Sequence, residues 1–190
     1  QGVSTKSHSG CVFIGSNAGY TAYTGDNNIA IGYGAMDDVD ADATVGASAE
    51  NTFIGKDSGG GTWVTAASHS NVGIGNSVMD AAMNGALGNT AVGYGAGGSL
   101  TTGNNNVFIG RQSGDEGVNF ATGNDCTLVG AFTDTSGVAS SNQIAIGYDC
   151  QGISDNSVTL GNVNVTDVYM AQDSQAYVHS QNVPNHVANT

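Results

Sequence analysis

Apolar or β-branched side chains recur two residues apart along this chain, and a glycine closes each pair. "NNIAIGYGAM" from Asn27, "NTFIGKDSG" from Asn51, "NTAVGYGAG" from Asn89 and "NNNVFIGRQSG" from Asn104 are variants of one phrase. Aligned on that glycine, nine copies run through Gly15, Gly32, Gly55, Gly75, Gly93, Gly110, Gly130, Gly147 and Gly161, at spacings of 17, 23, 20, 18, 17, 20, 17 and 14. A short unit is therefore repeated with insertions of variable length, and repeats at such periods signal a stacked architecture.

The columns of the alignment carry the structural expectation. Directly before the glycine stand Ile14, Ile31, Ile54, Ile74, Val92, Ile109, Val129, Ile146 and Leu160. Two residues earlier come Val12, Ile29, Thr52, Val72, Thr90, Val107, Thr127, Ile144 and Val158. Residues two apart share one face of a strand, so both columns are expected to face inward. Three residues after the glycine the side chain is nearly always small, from Ala18 and Ala35 to Ser113 and Thr133, as a crowded interior requires. Four residues before it the column is mostly amide (Asn28, Asn51, Asn71, Asn89, Asn106), with Cys11 and Cys126 in the same slot. That column predicts a ladder of side chains bonding up and down the stack.

A helix fails on period, and glycine interrupts every segment. The prediction is an all-β, parallel β-solenoid or β-roll of about nine rungs, a rod roughly 40 Å long. Each rung would bury two or three modest side chains, roughly 1.5–3 kcal/mol apiece, against the entropy of ordering the rung. A lone thin coil looks under-packed on that count, so association of chains along the axis is expected, with threefold symmetry preferred. Residues 1–10 read as a lead-in, 11–165 as the solenoid with loop insertions, and 166–190 as a short C-terminal β segment and tail. After the last copy of the repeat, Val163, Val165, Val168, Met170, Ala176 and Val178 alternate around a "QDSQ" turn.

Composition narrows the function classes. Thirty glycines with one proline exclude collagen. A formal charge of −13, with only Lys6, Lys56 and Arg111 as cations, argues against nucleic acid and against acidic membrane surfaces. No apolar run approaches the roughly 20 residues that span a bilayer. Cys11, Cys126 and Cys150 lack metal or redox spacing and read as free thiols. His8, His69, His179 and His186 are scattered singly.

The columns resemble the head repeat of trimeric autotransporter adhesins, whose phrase is roughly Asn-Ser-x-Ala-Ile-Gly followed by a small residue. "NNIAIGYGA", "NQIAIGYDC" and "NTAVGYGA" carry the likeness, over about Gly10 to Val165. Similar repeats occur in bacteriophage and large-virus tail fibres, which are parallel homotrimers. Insertions such as "MDDVDADATVGASAE" depart from the compact adhesin head and favour the fibre group. The C-terminal stretch resembles the segment that joins fibre repeats to a self-cleaving intramolecular chaperone, with a β-prism-like character. The resemblance implies a non-enzymatic, structural and host-attachment protein of a virion tail or extracellular surface. Its partners would be two further copies of itself, other tail proteins and a host surface glycan or receptor. A bacterial trimeric adhesin head and a polysaccharide-degrading tailspike are the alternatives.

Candidate contact residues lie in the insertions, since loops on a rigid scaffold carry recognition. Tyr20, Tyr23, Trp63 and Phe120 are candidates for stacking on sugar faces, the alternative being that they pack the loops onto the coil. Asp37, Asp38, Asp40 and Asp42 form an acidic loop that is a candidate for Ca²⁺, although it lacks the glycine and closing glutamate of an EF-hand, and a solvated loop is preferred. No other cofactor is expected. "GYGAGG" at Gly93 has no following helix and reads as the repeat's corner rather than a phosphate loop. Tyr33, Tyr94 and Tyr148 each follow the corner glycine and are expected to form an external ladder.

Overall fold

A computed structural model describes residues 9–20, 25–38, 47–63 and 66–169. Nine strands form one all-parallel sheet in chain order. They are β1 (Val12–Ile14), β2 (Ile29–Ile31), β3 (Thr52–Ile54), β4 (Val72–Ile74), β5 (Thr90–Val92), β6 (Val107–Ile109), β7 (Thr127–Val129), β8 (Gln143–Ile146) and β9 (Ser157–Leu160). Each pairs only with its neighbours in sequence, and the register matches the repeat, with Val12 opposite Ile29 and Val107 opposite Thr127. The predicted β-solenoid is present, and no helix occurs among the described residues. A parallel pair normally needs a long crossover, and here each solenoid turn supplies it.

The corner glycine makes this stacking possible. At Gly93 the backbone has φ +138°, and a Cβ there would overlap the carbonyl oxygen of Gly110 in the next rung. The same overlap recurs at every corner from Gly15 to Gly130. No L side chain tolerates both that conformation and that approach.

Beside the corner runs the amide ladder. Asn51 Oδ1 accepts the Asn71 backbone N–H at 3.0 Å and Asn71 Nδ2 at 3.0 Å. Asn71 Nδ2 also donates to the Ala86 carbonyl at 2.9 Å, and Asn71 Oδ1 accepts in turn from Asn89. The pattern runs from Asn28 to Asn106, with these side chains buried. The two thiols in this slot act as amide substitutes. Cys11 Sγ accepts the Asn28 N–H at 3.4 Å and donates to the Gly25 carbonyl at 3.3 Å. Cys126 Sγ donates to the Ser140 carbonyl at 3.5 Å, the position that Asn amides serve elsewhere. All three cysteines are free, as read from spacing.

The strand faces are opposite to expectation. The interior column lies between the two regular ones: Phe13, Ala30, Phe53, Gly73, Ala91, Phe108, Leu128, Ala145 and Thr159. Ala30, Phe53, Ala91, Phe108, Leu128 and Ala145 are fully buried, joined by Ala35, Val78, Ala96 and Cys150 from the small column. Ile14, Ile74, Val92, Ile109 and Ile146 are instead 57, 42, 37, 42 and 42 % exposed. A coil this narrow has room for one inward side chain per strand, and large residues alternate there with small ones to fill it. The uniform β-branched columns stand on the outer face.

In the C-terminal region, β9 is the edge strand, and no strand follows it up to residue 169. The Val165 N–H turns back to the Asn162 carbonyl at 3.1 Å, and Val163, Val165 and Val168 are exposed, so the expected strand through them is not formed. Once the pairing partner ends, alternation alone has no ladder to join. Met170, Ala176 and Val178 lie outside the described residues.

Asn71→Ala should destabilise the chain by about 2–4 kcal/mol, because it strands the Asn89 amide and the Ala86 carbonyl inside the coil. Asn71→Cys should cost less than Asn71→Ala, as the natural thiol rungs show the slot accepts sulfur. Urea unfolding of the two variants checks the ranking.

Candidate functional site

The insertion residues singled out from sequence fall into four groups. Tyr20 is 67 % exposed at the end of the first rung's turn. Tyr23, Asp40 and Asp42 lie outside the described residues. Trp63 and Phe120 offer no ring face to solvent, for both are fully buried. Trp63 meets Phe53 edge-on at 5.8 Å, and Phe120 meets Phe108 at 5.5 Å. These rings close the coil over its largest inward side chains, so the stacking role expected for them gives way to the packing alternative. The Trp63 indole N–H is buried without a hydrogen-bond partner among the described residues.

Asp37 and Asp38 are half-buried, and the Thr62 hydroxyl donates to Asp38. Burial first, then the neighbouring Asp38 and Asp57 charges, push the Asp37 carboxyl up. Among the described residues no three His, Cys, Asp or Glu side chains are grouped to hold a metal ion.

A column missed in the sequence organises this side of the coil. Five residues after successive corner glycines come Tyr20, Asp37, Gly60, Asp80, Gly98 and Asp115. Aspartate alternates with glycine, rung by rung, from Asp37 to Asp115. The glycines leave the space the carboxylates occupy: a Cβ on Gly60 would lie 2.9 Å from Asp80 Oδ1 and 3.4 Å from Asp37 Oδ1. A Cβ on Gly98 would lie 2.6 Å from Asp115 Oδ2. Burial is the main reason that the Asp80 carboxyl is pushed up to about 6, with Asp57 and Asp37 adding repulsion, against a Gly60 N–H bond and Lys56 that lower it. Lys56 pairs with Asp57. Burial likewise raises Asp115, although the Ser99 hydroxyl bonds its carboxylate.

Between the last two carboxylates lies a groove of about 290 Å³, lined by Ser77, Asp80, Tyr94, Ser99, Gln112 and Asp115 among others. Tyr33, Tyr94 and Tyr148 are external as expected, each more than half exposed, but they stand three rungs apart with other residues between them and so do not make a ladder. The Arg111 guanidinium sits 5.9 Å from the centre of the Tyr94 ring and 5.2 Å from that of Phe132. Phe132 in turn meets Tyr148 edge-on at 5.7 Å. A larger hollow of about 480 Å³ borders β9, lined by Asp149, Ile153, Thr159 and Val163 among others. Aligning the turn as well as the strand would have exposed the Asp–Gly alternation, because its period is two rungs rather than one. No protein-family model, characterised protein or solved structure matches this chain.

A carboxyl whose folded pKa lies above its unfolded value of 3.8 binds a proton more tightly in the folded state. Asp80 therefore costs stability above about pH 6, and that cost fades as pH falls toward 4. Asp80→Asn, which keeps an acceptor for the Gly60 N–H, should stabilise the chain at pH 7.5 by about 1 kcal/mol after allowance for solvent screening. The gain should vanish near pH 4. Thermal unfolding of both proteins across that range checks the sign.

Proposed function

We propose that this chain is a structural and host-attachment fibre protein of a virion tail, acting as a parallel homotrimer without catalytic activity. The observation that carries the reading is the outer face of the sheet. Two β-branched columns, Val12 to Val158 and Ile14 to Leu160, run its whole length, and the second is substantially exposed in most rungs. Scattered apolar residues are normal on a surface, but a continuous strip invites a partner. At about 4.8 Å per rung the strip extends roughly 38 Å.

The shape of the strip favours copies of the same chain. Every rung presents a similar pair of branched side chains at the same spacing, so a parallel copy in equal register meets matching residues throughout. Three such strips can close around one axis, each covering the other two. The likeness of the repeat to adhesin heads and tail fibres supports threefold closure. The turns and insertions, including exposed Tyr20, would remain outside to meet a host surface glycan or receptor, and three linked copies would gain avidity from weak individual contacts. Extracellular exposure and contacts with other tail proteins belong to the same reading.

Light scattering in native buffer should return three times the 18.9 kDa chain mass. Ile74→Lys together with Ile109→Lys should reduce that to the single-chain mass, since each places a charge in every strip facing the axis. A wild-type chain that is monomeric at micromolar concentration would overturn the proposal.

A further inference from the structure

The groove between Asp80 and Asp115 lies on the turns, and no residue of the two outer strand columns is among those lining it. An assembly that covers the strand face therefore leaves its lining residues outside the contact columns. Its volume of about 290 Å³ is just below the ~300–1,000 Å³ of drug-sized sites, so it suits one or two rings rather than a long segment.

The groove combines a fixed aromatic face with a rim of acceptors. Tyr94 is 57 % exposed, and its ring is braced by Arg111, which is itself held against Phe132. A ring held in place in this way loses little freedom when a ligand stacks on it. Asp115 Oδ1 accepts the Ser99 hydroxyl, while Oδ2 faces the space left by Gly98. Gln112 commits its Nε2 to Glu116 at 3.1 Å, which leaves its amide oxygen as an acceptor. Asp80 and Ser77, from the preceding rung, line the opposite side.

An aromatic plane bordered by carboxylate and amide oxygens matches a ligand with an apolar ring face and outward hydroxyl donors. Anionic ligands are disfavoured by Asp80, Asp115, Glu116 and the overall charge of −13. We infer that this groove is a binding site for a neutral pyranose of a surface glycan, with the sugar's ring face on Tyr94 and its hydroxyls donating to Asp115, Gln112 and Asp80. The site rests on the attachment reading above and gives that reading a location on the rod's turns, distinct from the insertion loops.

Saturation-transfer NMR on the full chain tests it, using maltotriose, cellotriose and mannotriose as neutral probes and sialyllactose as the anionic one. At least one neutral trisaccharide should give saturable transfer, with sialyllactose giving none. Tyr94→Ala should weaken that binding about tenfold or more, and Asp115→Asn should weaken it as well. Tyr94 is a surface residue, so its variant should melt with the parent, and that control separates lost binding from lost folding. Silence from all three neutral sugars, equal transfer in Tyr94→Ala, or preference for sialyllactose would each overturn the assignment. Light scattering on the same samples separates the two proposals. A trimer that binds no sugar removes the groove and keeps the fibre, whereas a monomer that binds through Tyr94 does the reverse.

Discussion

Everything in this molecule depends on how closely one rung can lie on the next. Where the chain turns off the strand, the backbone of one copy sits against the carbonyl of the following copy, with no room for a side chain between them. That contact keeps the strands in register, and register keeps every column in line. The amide ladder then follows from geometry. Once equivalent residues are superposed at strand spacing, an Asn in each copy reaches both the amide above it and the carbonyl below, and a buried polar column becomes a fully bonded one. The ladder also solves the interior's main difficulty, since a coil with few large side chains gains order from satisfied hydrogen bonds that a wider core would gain from packing.

The stack itself was legible in the residues. Rung number, register, the polar ladder and the small column after the glycine all follow from spacing, because spacing is what the stack repeats. Orientation was not. Alternation says that Ile109 and Val107 share a face, and it does not say which face is inside. Regularity misled, for a column of similar, mostly β-branched residues looks like a core. The true interior column varies from Phe13 to Ala30 to Phe53 to Gly73, and that variation is itself the mark of an enclosed space, where a large side chain must be offset by a small neighbour. An outward column has no such bargain to strike and can stay uniform.

The same reasoning accounts for the insertions. Trp63 and Phe120 occur among glycines and polar residues, which suggests an exposed loop, yet each lies within reach of a large inward ring, Phe53 or Phe108. Nothing local in the sequence announces that distance, because the rings come from different parts of the turn. The alternation of Asp and Gly on the turns was hidden for another reason. Each rung read alone shows either a charge or a gap, and only two rungs read together show a carboxylate using its neighbour's gap.

The thiol rungs have a mechanical consequence. Hydrogen bonds between strands point along the rod, so tension on its ends is borne by the rung junctions in series, and the rod is only as strong as its weakest joint. The four joints from Asn28 to Asn106 carry the paired amide bonds near 3.0 Å, whereas those at Cys11 and Cys126 rely on longer, weaker sulfur contacts. A pull on the rod would open it first outside the stretch from Asn28 to Asn106, near the start of the coil or among its last three strands.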